Sequence, residues 1–190
     1  WRSRGMSKTI NVLKLDVFHG LSHELPSGIS NATRTVVSMH DLIYEVYPHF
    51  FPWYNRWLYR WKYKTSCKKA DHVIAISEAT RHDLISRYHL DGKKVSVVYQ
   101  SCGDYFVPRP GNKQKKHFLY VGTIEERKGL LHAVHAYAQL PNELQIPFLV
   151  VGNGRAYAEE VKKAVQYYGI EKQFQFLGKL KNEEIADLYH

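Results

Sequence analysis

The sequence predicts an α/β protein built on parallel sheets. Three observations carry this. Short apolar runs rich in Val, Ile and Phe alternate with longer helical patterns along the whole chain. Glycines and histidines recur where the apolar runs end, as in Gly20, His40, Gly122, Gly152 and Gly178. The rhythm breaks once, over residues 100–116, where Pro108-Arg109-Pro110-Gly111-Asn112 and a lysine run have linker composition.

The elements follow in order. Residues 16–19 predict a short strand entering a loop, and 34–39 a second strand ending at His40-Asp41. A helix is expected over 53–69, a strand over 72–76, a helix over 78–88 and a strand over 95–98. Ser77 is suited to cap the middle helix, with Glu78 in its first turn, where the helix dipole favours an acid. After the break come strand 117–121, helix 130–140 and strand 147–151. Helix 156–168 shows an apolar stripe of Tyr157, Val161, Ala164, Val165 and Tyr168 and stops at Gly169; strand 174–177 follows. Asn182 would cap a final helix. The expected division is a partial first domain at 1–107, a linker at 108–116 and a partial second domain at 117–190.

Hydrophobic residues make up 44% of the chain, enough for packed cores. No run of 18 apolar residues occurs, and the first residues lack the apolar segment of a secretion signal. Two cysteines, Cys67 and Cys102, argue against a disulfide framework and for a reducing cytoplasm. The net charge of +9 favours an anionic partner: nucleic acid, acidic lipid or a phosphorylated ligand.

The segment Val121-Gly122-Thr123-Ile124-Glu125-Glu126-Arg127-Lys128-Gly129 is laid out to hold phosphate. A strand feeds it and a helix leaves it. The helix start offers unpaired N–H groups and a positive dipole end, and Arg127 and Lys128 add charge-assisted hydrogen bonds. Gly122 would let backbone approach a ligand. Glu125 and Glu126 must point away for this to work. Gly152-Asn153-Gly154 lacks the third glycine of a dinucleotide fingerprint, since Tyr157 stands there, which argues against NAD or FAD. His19, His23 and Glu24 fall in a glycine- and proline-rich loop rather than on a helix, so zinc is not expected.

In order and spacing, several segments resemble the family-4 (group 1) glycosyltransferases of GT-B fold. They are 16–22, 37–43, 70–78, 97–100, 121–129, 151–154 and 176–178. The resemblance implies parts of two Rossmann-like domains, the first binding acceptor and the second the nucleotide-sugar donor across a cleft. It implies transfer of a sugar, hexosyltransferase-like, from a nucleotide-diphospho-sugar to an acceptor hydroxyl in glycan or cell-surface polysaccharide synthesis. Retention of configuration is implied, with the leaving phosphate helping to deprotonate the acceptor. Arg127, Lys128 and Gly122 would bind the donor diphosphate, stabilising charge that grows as the bond breaks. Gly152, Gly154 and Gly178 would lie near the nucleotide, His40 in the catalytic cleft, and His19 and Gly20 on the acceptor side. No cofactor or metal is implied; the nucleotide sugar is a substrate.

The resemblance also implies truncation at both ends. The family's Glu-x7-Glu motif falls beyond His190, so the piece is expected to be incomplete as a catalyst. Two alternatives stand beside it: a basic α/β nucleic-acid-binding module, and a GT-B nucleotide-sugar epimerase. No lysine motif points to a pyridoxal-phosphate phosphorylase, and no nucleic-acid motif is present.

The helix over 53–69 carries Trp53, Trp57 and Trp61 on one stripe, with Arg56, Arg60 and Lys64 beside it and Lys68 further on. The plainer expectation is a tryptophan face packed on the sheet. The other is an anionic membrane surface, which would place the protein peripherally at the inner face and suit a lipid-linked acceptor.

Overall fold

The computed structural model describes residues 5–108 and 116–189. Most of the expected linker, residues 109–115, lies outside the described residues. The chain forms two compact units, residues 1–101 and 102–190. The second unit takes in residues 102–107, which the expected division gave to the first. Packing explains this: Phe106 meets Tyr189 edge-on at 5.8 Å, and Phe106 and Val107 line an apolar cavity with Val121 and Ile185.

Unit 1 contains α1 (Gly5–Leu13), β1 (Val17–Gly20), β2 (Arg34–Met39), α2 (Ile43–Val46), α3 (Trp53–Lys69), β3 (His72–Ala75), α4 (Glu78–Tyr88) and β4 (Val95–Val97). Its sheet is parallel throughout, in the order β1-β2-β3-β4. Helices cover strands that read as near-continuous apolar runs, as parallel sheets require. The core joins Val37, Met39, Val73 and Ala75 of the sheet to Cys67, Leu84 and Tyr88 of the helices. Ser77 caps α4 as expected: its Oγ accepts the Thr80 N–H at 3.1 Å.

Two buried or edge-held polar pairs lock this unit. The Tyr44 and Tyr88 hydroxyls hydrogen-bond to each other inside the core, and burial raises both phenol pKa values. At the opposite end of β2, Asp71 accepts the Thr35 N–H at 2.8 Å, the Thr35 hydroxyl and an Arg34 N–H at 2.9 Å. Those bonds hold its carboxyl at about 2, the Thr35 backbone N–H contributing most.

Helix α1 was not foreseen in the sequence. It is fastened by Asn11, whose Nδ2 donates to the Gly28 carbonyl at 2.9 Å while its Oδ1 accepts the Ser30 N–H at 2.8 Å.

Unit 2 contains β5 (Phe118–Val121), α5 (Leu130–Ala138), β6 (Phe148–Val151), α6 (Ala156–Tyr167), β7 (Phe174–Gly178) and α7 (Asn182–Tyr189). Its parallel sheet runs β5-β6-β7. Leu130 and Val134 of α5, Val150 of β6 and Val161 of α6 are fully buried together in its core.

The aromatic helix departs from the plainer expectation. In α3 the inward face is Tyr59, Tyr63, Ser66 and Cys67, not the tryptophans. Trp53, Trp57 and Trp61 are 77%, 66% and 59% exposed.

Candidate functional site

The phosphate-binding candidates gather at the C-terminal ends of the unit 2 strands, where open α/β sheets place ligands. Backbone bonds draw the strand-end loops together. The Gly122 N–H donates to the Val151 carbonyl at 3.0 Å, the Gly152 N–H to the Gly178 carbonyl at 2.7 Å, and the Ile124 N–H to the Asn153 carbonyl at 2.9 Å. Gly122, Gly152, Gly154 and Gly178 all lie at these strand ends.

Gly152 has a structural reason beyond ligand access. Its φ is +135°, and a Cβ there would lie 1.9 Å from the Gly122 carbonyl oxygen. Gly154 is confined too, though less tightly, a Cβ there reaching 2.5 Å from the Ile124 carbonyl oxygen. The glycines let the two loops touch each other.

Between these loops lies a groove of about 690 Å³, lined by residues 123–126 and 153–157. Tyr120 stiffens one wall by donating its hydroxyl to the Thr123 carbonyl at 2.9 Å. Burial raises the Tyr120 phenol pKa, with Tyr157 and Glu125 adding to the shift and Arg127 opposing it.

Arg127 and Lys128 lie in a 3-10 turn, Glu126–Lys128, ahead of α5. Gly129 then takes a left-handed conformation, φ +69°, and the helix starts at Leu130. Two expectations are corrected here. Glu125 does not point away: its Oε2 accepts from Arg127 Nε at 2.8 Å. A carboxylate and a guanidinium this close in a mostly solvent-facing loop pair by simple attraction. Nor are all the first N–H groups of α5 open, since the Leu131 N–H donates to the Tyr157 hydroxyl at 3.1 Å. Tyr157 fills the place of the missing third glycine and uses it to bind the helix start. Lys128 is exposed, and among the described residues no ion pair engages it.

In unit 1, His40 follows β2. Its Nε2–H donates to the Leu21 carbonyl at 2.9 Å, and its Nδ1 faces Gln100 Nε2 at 3.4 Å. That arrangement fixes the Nε2–H tautomer. Its backbone N–H donates to His23 Nε2 at 3.3 Å, and its carbonyl accepts the Thr80 hydroxyl at 3.0 Å. His40 is therefore a well-held histidine with both ring nitrogens engaged. His19 is exposed at the end of β1 and hydrogen-bonds Ser38 Oγ at 2.9 Å. Gly20 is buried; a Cβ there would meet the Glu24 carbonyl oxygen at 2.5 Å. His19 and His23 turn to different partners, and among the described residues no group of three or more His, Cys, Asp or Glu gathers as a metal site.

Two parallel α/β units with glycine-lined strand ends and a basic turn define a Rossmann-like, GT-B-type protein. Family matches assign it further. Residues 1–101 match the model of Glycosyltransferase Family 4, and residues 105–190 that of Glycosyl transferases group 1. The chain belongs to this glycosyltransferase family.

Among individual proteins, it is similar to O-antigen chain mannosyltransferase B of Escherichia coli. The two are 24% identical over 186 residues, covering 91% of this chain and 48% of that protein. The fold is shared with WaaG, a glycosyltransferase involved in lipopolysaccharide biosynthesis. Its TM-score is 0.67 at 16% identity, covering 96% of this chain and 53% of that one. It is also shared with Anabaena HepE, solved with UDP, at TM-score 0.63 and 20% identity over 82% of this chain and 44% of that one. The chain thus spans about half the length of the relatives it matches. Neither the nucleic-acid module nor the epimerase finds support among these matches.

Proposed function

We propose that the protein containing this chain transfers a sugar from a nucleotide-diphospho-sugar to an acceptor hydroxyl, with retention, in cell-surface polysaccharide synthesis. Unit 2 binds the donor and unit 1 serves the acceptor. The single observation that carries this reading is the pair of family matches, each occupying one α/β unit in order. The strand, glycine and basic-turn layout at the end of β5 supports it.

In this reading Lys128 meets the donor diphosphate directly, and Arg127 exchanges Glu125 for a phosphate oxygen. Such an exchange is inexpensive, because an exposed ion pair contributes only about 0–1 kcal/mol. Both cations then stabilise the charge that grows on the leaving diphosphate. Gly152, Gly154 and Gly178 shape the loops beside the nucleotide. His40 serves the reaction centre, where a sugar hydroxyl would take the place of Gln100 at Nδ1. His19 and Gly20 border the acceptor, a glycan or a lipid-linked sugar. The name of the E. coli relative puts a mannosyl donor first among the sugars to try. The protein works in the cytoplasm, peripherally at the inner membrane face, without a cofactor or metal and without a nucleic-acid partner.

Thermal-shift screening of the 190-residue chain against GDP- and UDP-sugars and against oligonucleotides tests the reading. A shift with nucleotide sugars alone is expected. Stabilisation by oligonucleotides but by no nucleotide sugar would overturn it.

A further inference from the structure

The tryptophans of α3 are left over after the core is built. Tyr59, Tyr63, Ser66 and Cys67 turn inward and pack under the sheet, so the helix has a complete buried face without them. The opposite face still carries Trp53, Tyr54, Trp57 and Trp61, each more than half exposed. At 1.5 Å rise per residue, the three indoles form a line about 12 Å long. At helical spacing the same line continues into Lys64 and Lys68, with Arg56 and Arg60 along one edge.

The charge of this face is one-sided. Residues 46–70 hold six Lys and Arg and no Asp or Glu. Arg60 pairs with Glu45 at 3.2 Å and Lys62 with Glu24 at 3.3 Å. Among the described residues no ion pair engages Arg56, Lys68 or Lys69, while Lys64 Nζ lies over the Tyr88 ring, 5.9 Å from its centroid. Indoles favour sites with one apolar and one wet side, and Lys and Arg lay their alkyl stems on apolar surface while the charged head stays wet.

We infer that the Trp53–Lys68 face of α3 is a docking surface for an anionic phospholipid bilayer. The indoles enter the headgroup boundary, and the exposed Arg56 and Lys68 meet lipid phosphates. Charge complementarity selects this occupant. A second copy of the same face would bring like charges together, and a neutral surface would leave the cations unanswered. The inference rests on unit 1 alone and is independent of whether unit 2 binds a nucleotide sugar.

Vesicle co-sedimentation of the chain tests it, with phosphatidylcholine vesicles against vesicles carrying about one third phosphatidylglycerol. Binding to the anionic vesicles, weakening as salt rises, is expected. Trp57→Ala with Trp61→Ala should weaken it about tenfold or more by removing inserted apolar surface. Arg56→Glu with Lys68→Glu should weaken it by at least about tenfold, since each basic residue near such a surface contributes about fivefold. Tyr167→Ser, at an 83% exposed position in unit 2, should change nothing. Circular dichroism checks that the variants fold. Independently of any variant, brominated anionic lipid should quench tryptophan emission of the unaltered protein. The inference is overturned by absence of anionic-vesicle binding at moderate salt, or by equal binding to neutral vesicles. It is also overturned if a short oligonucleotide binds this face and survives loss of the tryptophans, or if the tryptophans instead hold a dimer in sedimentation velocity.

Discussion

Replacing Gly152 by Ala should disable the loop pair that supports the candidate donor site. Two costs add. The backbone there has φ +135°, a region that a residue with a Cβ enters at a cost of about 1–3 kcal/mol. The new methyl would also lie 1.9 Å from the Gly122 carbonyl oxygen and 2.8 Å from its carbon, about 1.5 Å short of ordinary contact. That neighbour is backbone, so no side chain can swing aside. Separating the loops strains two ladder bonds, Gly122 N–H to Val151 and Gly152 N–H to Gly178. Overpacking of this kind costs a further 1–3 kcal/mol or so, for a sum of about 2–6 kcal/mol. For a unit of this size the melting point should fall by about 10 °C or more. Differential scanning calorimetry of the whole chain measures it. Gly169→Ala is the control: φ is +65° there, but nothing lies within 4 Å of the new methyl. It should cost only the conformational part. A Gly152→Ala melting point no lower than that of Gly169→Ala would refute the claim that loop contact, rather than backbone freedom alone, demands glycine.

Tyr88→Phe leaves the buried Tyr44 hydroxyl without its partner and should cost about 1–3 kcal/mol in urea unfolding. Asp71 is held at about 2, below its unfolded value near 4, so its contribution is complete above about pH 4 and fades as pH falls towards 2. Acid unfolding of Asp71→Asn should therefore be less steep across that window; an unchanged slope would remove Asp71 from the account. Burial pushes the Cys67 thiol up to about 12, whereas Cys102 is exposed. A thiol reagent at mildly alkaline pH should modify Cys102 quickly and Cys67 only on unfolding.

The βα rhythm was legible because buried parallel strands leave short Val- and Ile-rich runs, as at residues 72–76 and 147–151. The candidate donor loop was legible for a similar reason, since strand, glycine and basic turn are close in sequence. Much of what failed to show depended on partners far along the chain. Tyr157 was visible as a missing glycine, but not as the group that binds the Leu131 N–H. Gly152 was readable as a strand-end glycine, not as the neighbour of Gly122. The α3 orientation was within reach. Tyr59, Tyr63, Ser66 and Cys67 recur at i, i+4, i+7 and i+8, a buried-face pattern that the larger tryptophans obscured. Glu125 was expected to avoid the site because phosphate would repel it. Instead Arg127, two residues on, pairs with its carboxylate at 2.8 Å.

The proposed donor site holds a nucleotide diphosphate through Arg127 and Lys128 of unit 2. Isothermal titration of UDP and GDP into the unaltered chain and into the Arg127→Ala, Lys128→Ala double variant tests it most directly. Loss of two charge-assisted bonds should weaken the preferred nucleotide by at least about a hundredfold. Equal affinity in the two proteins would contradict that role for the two cations.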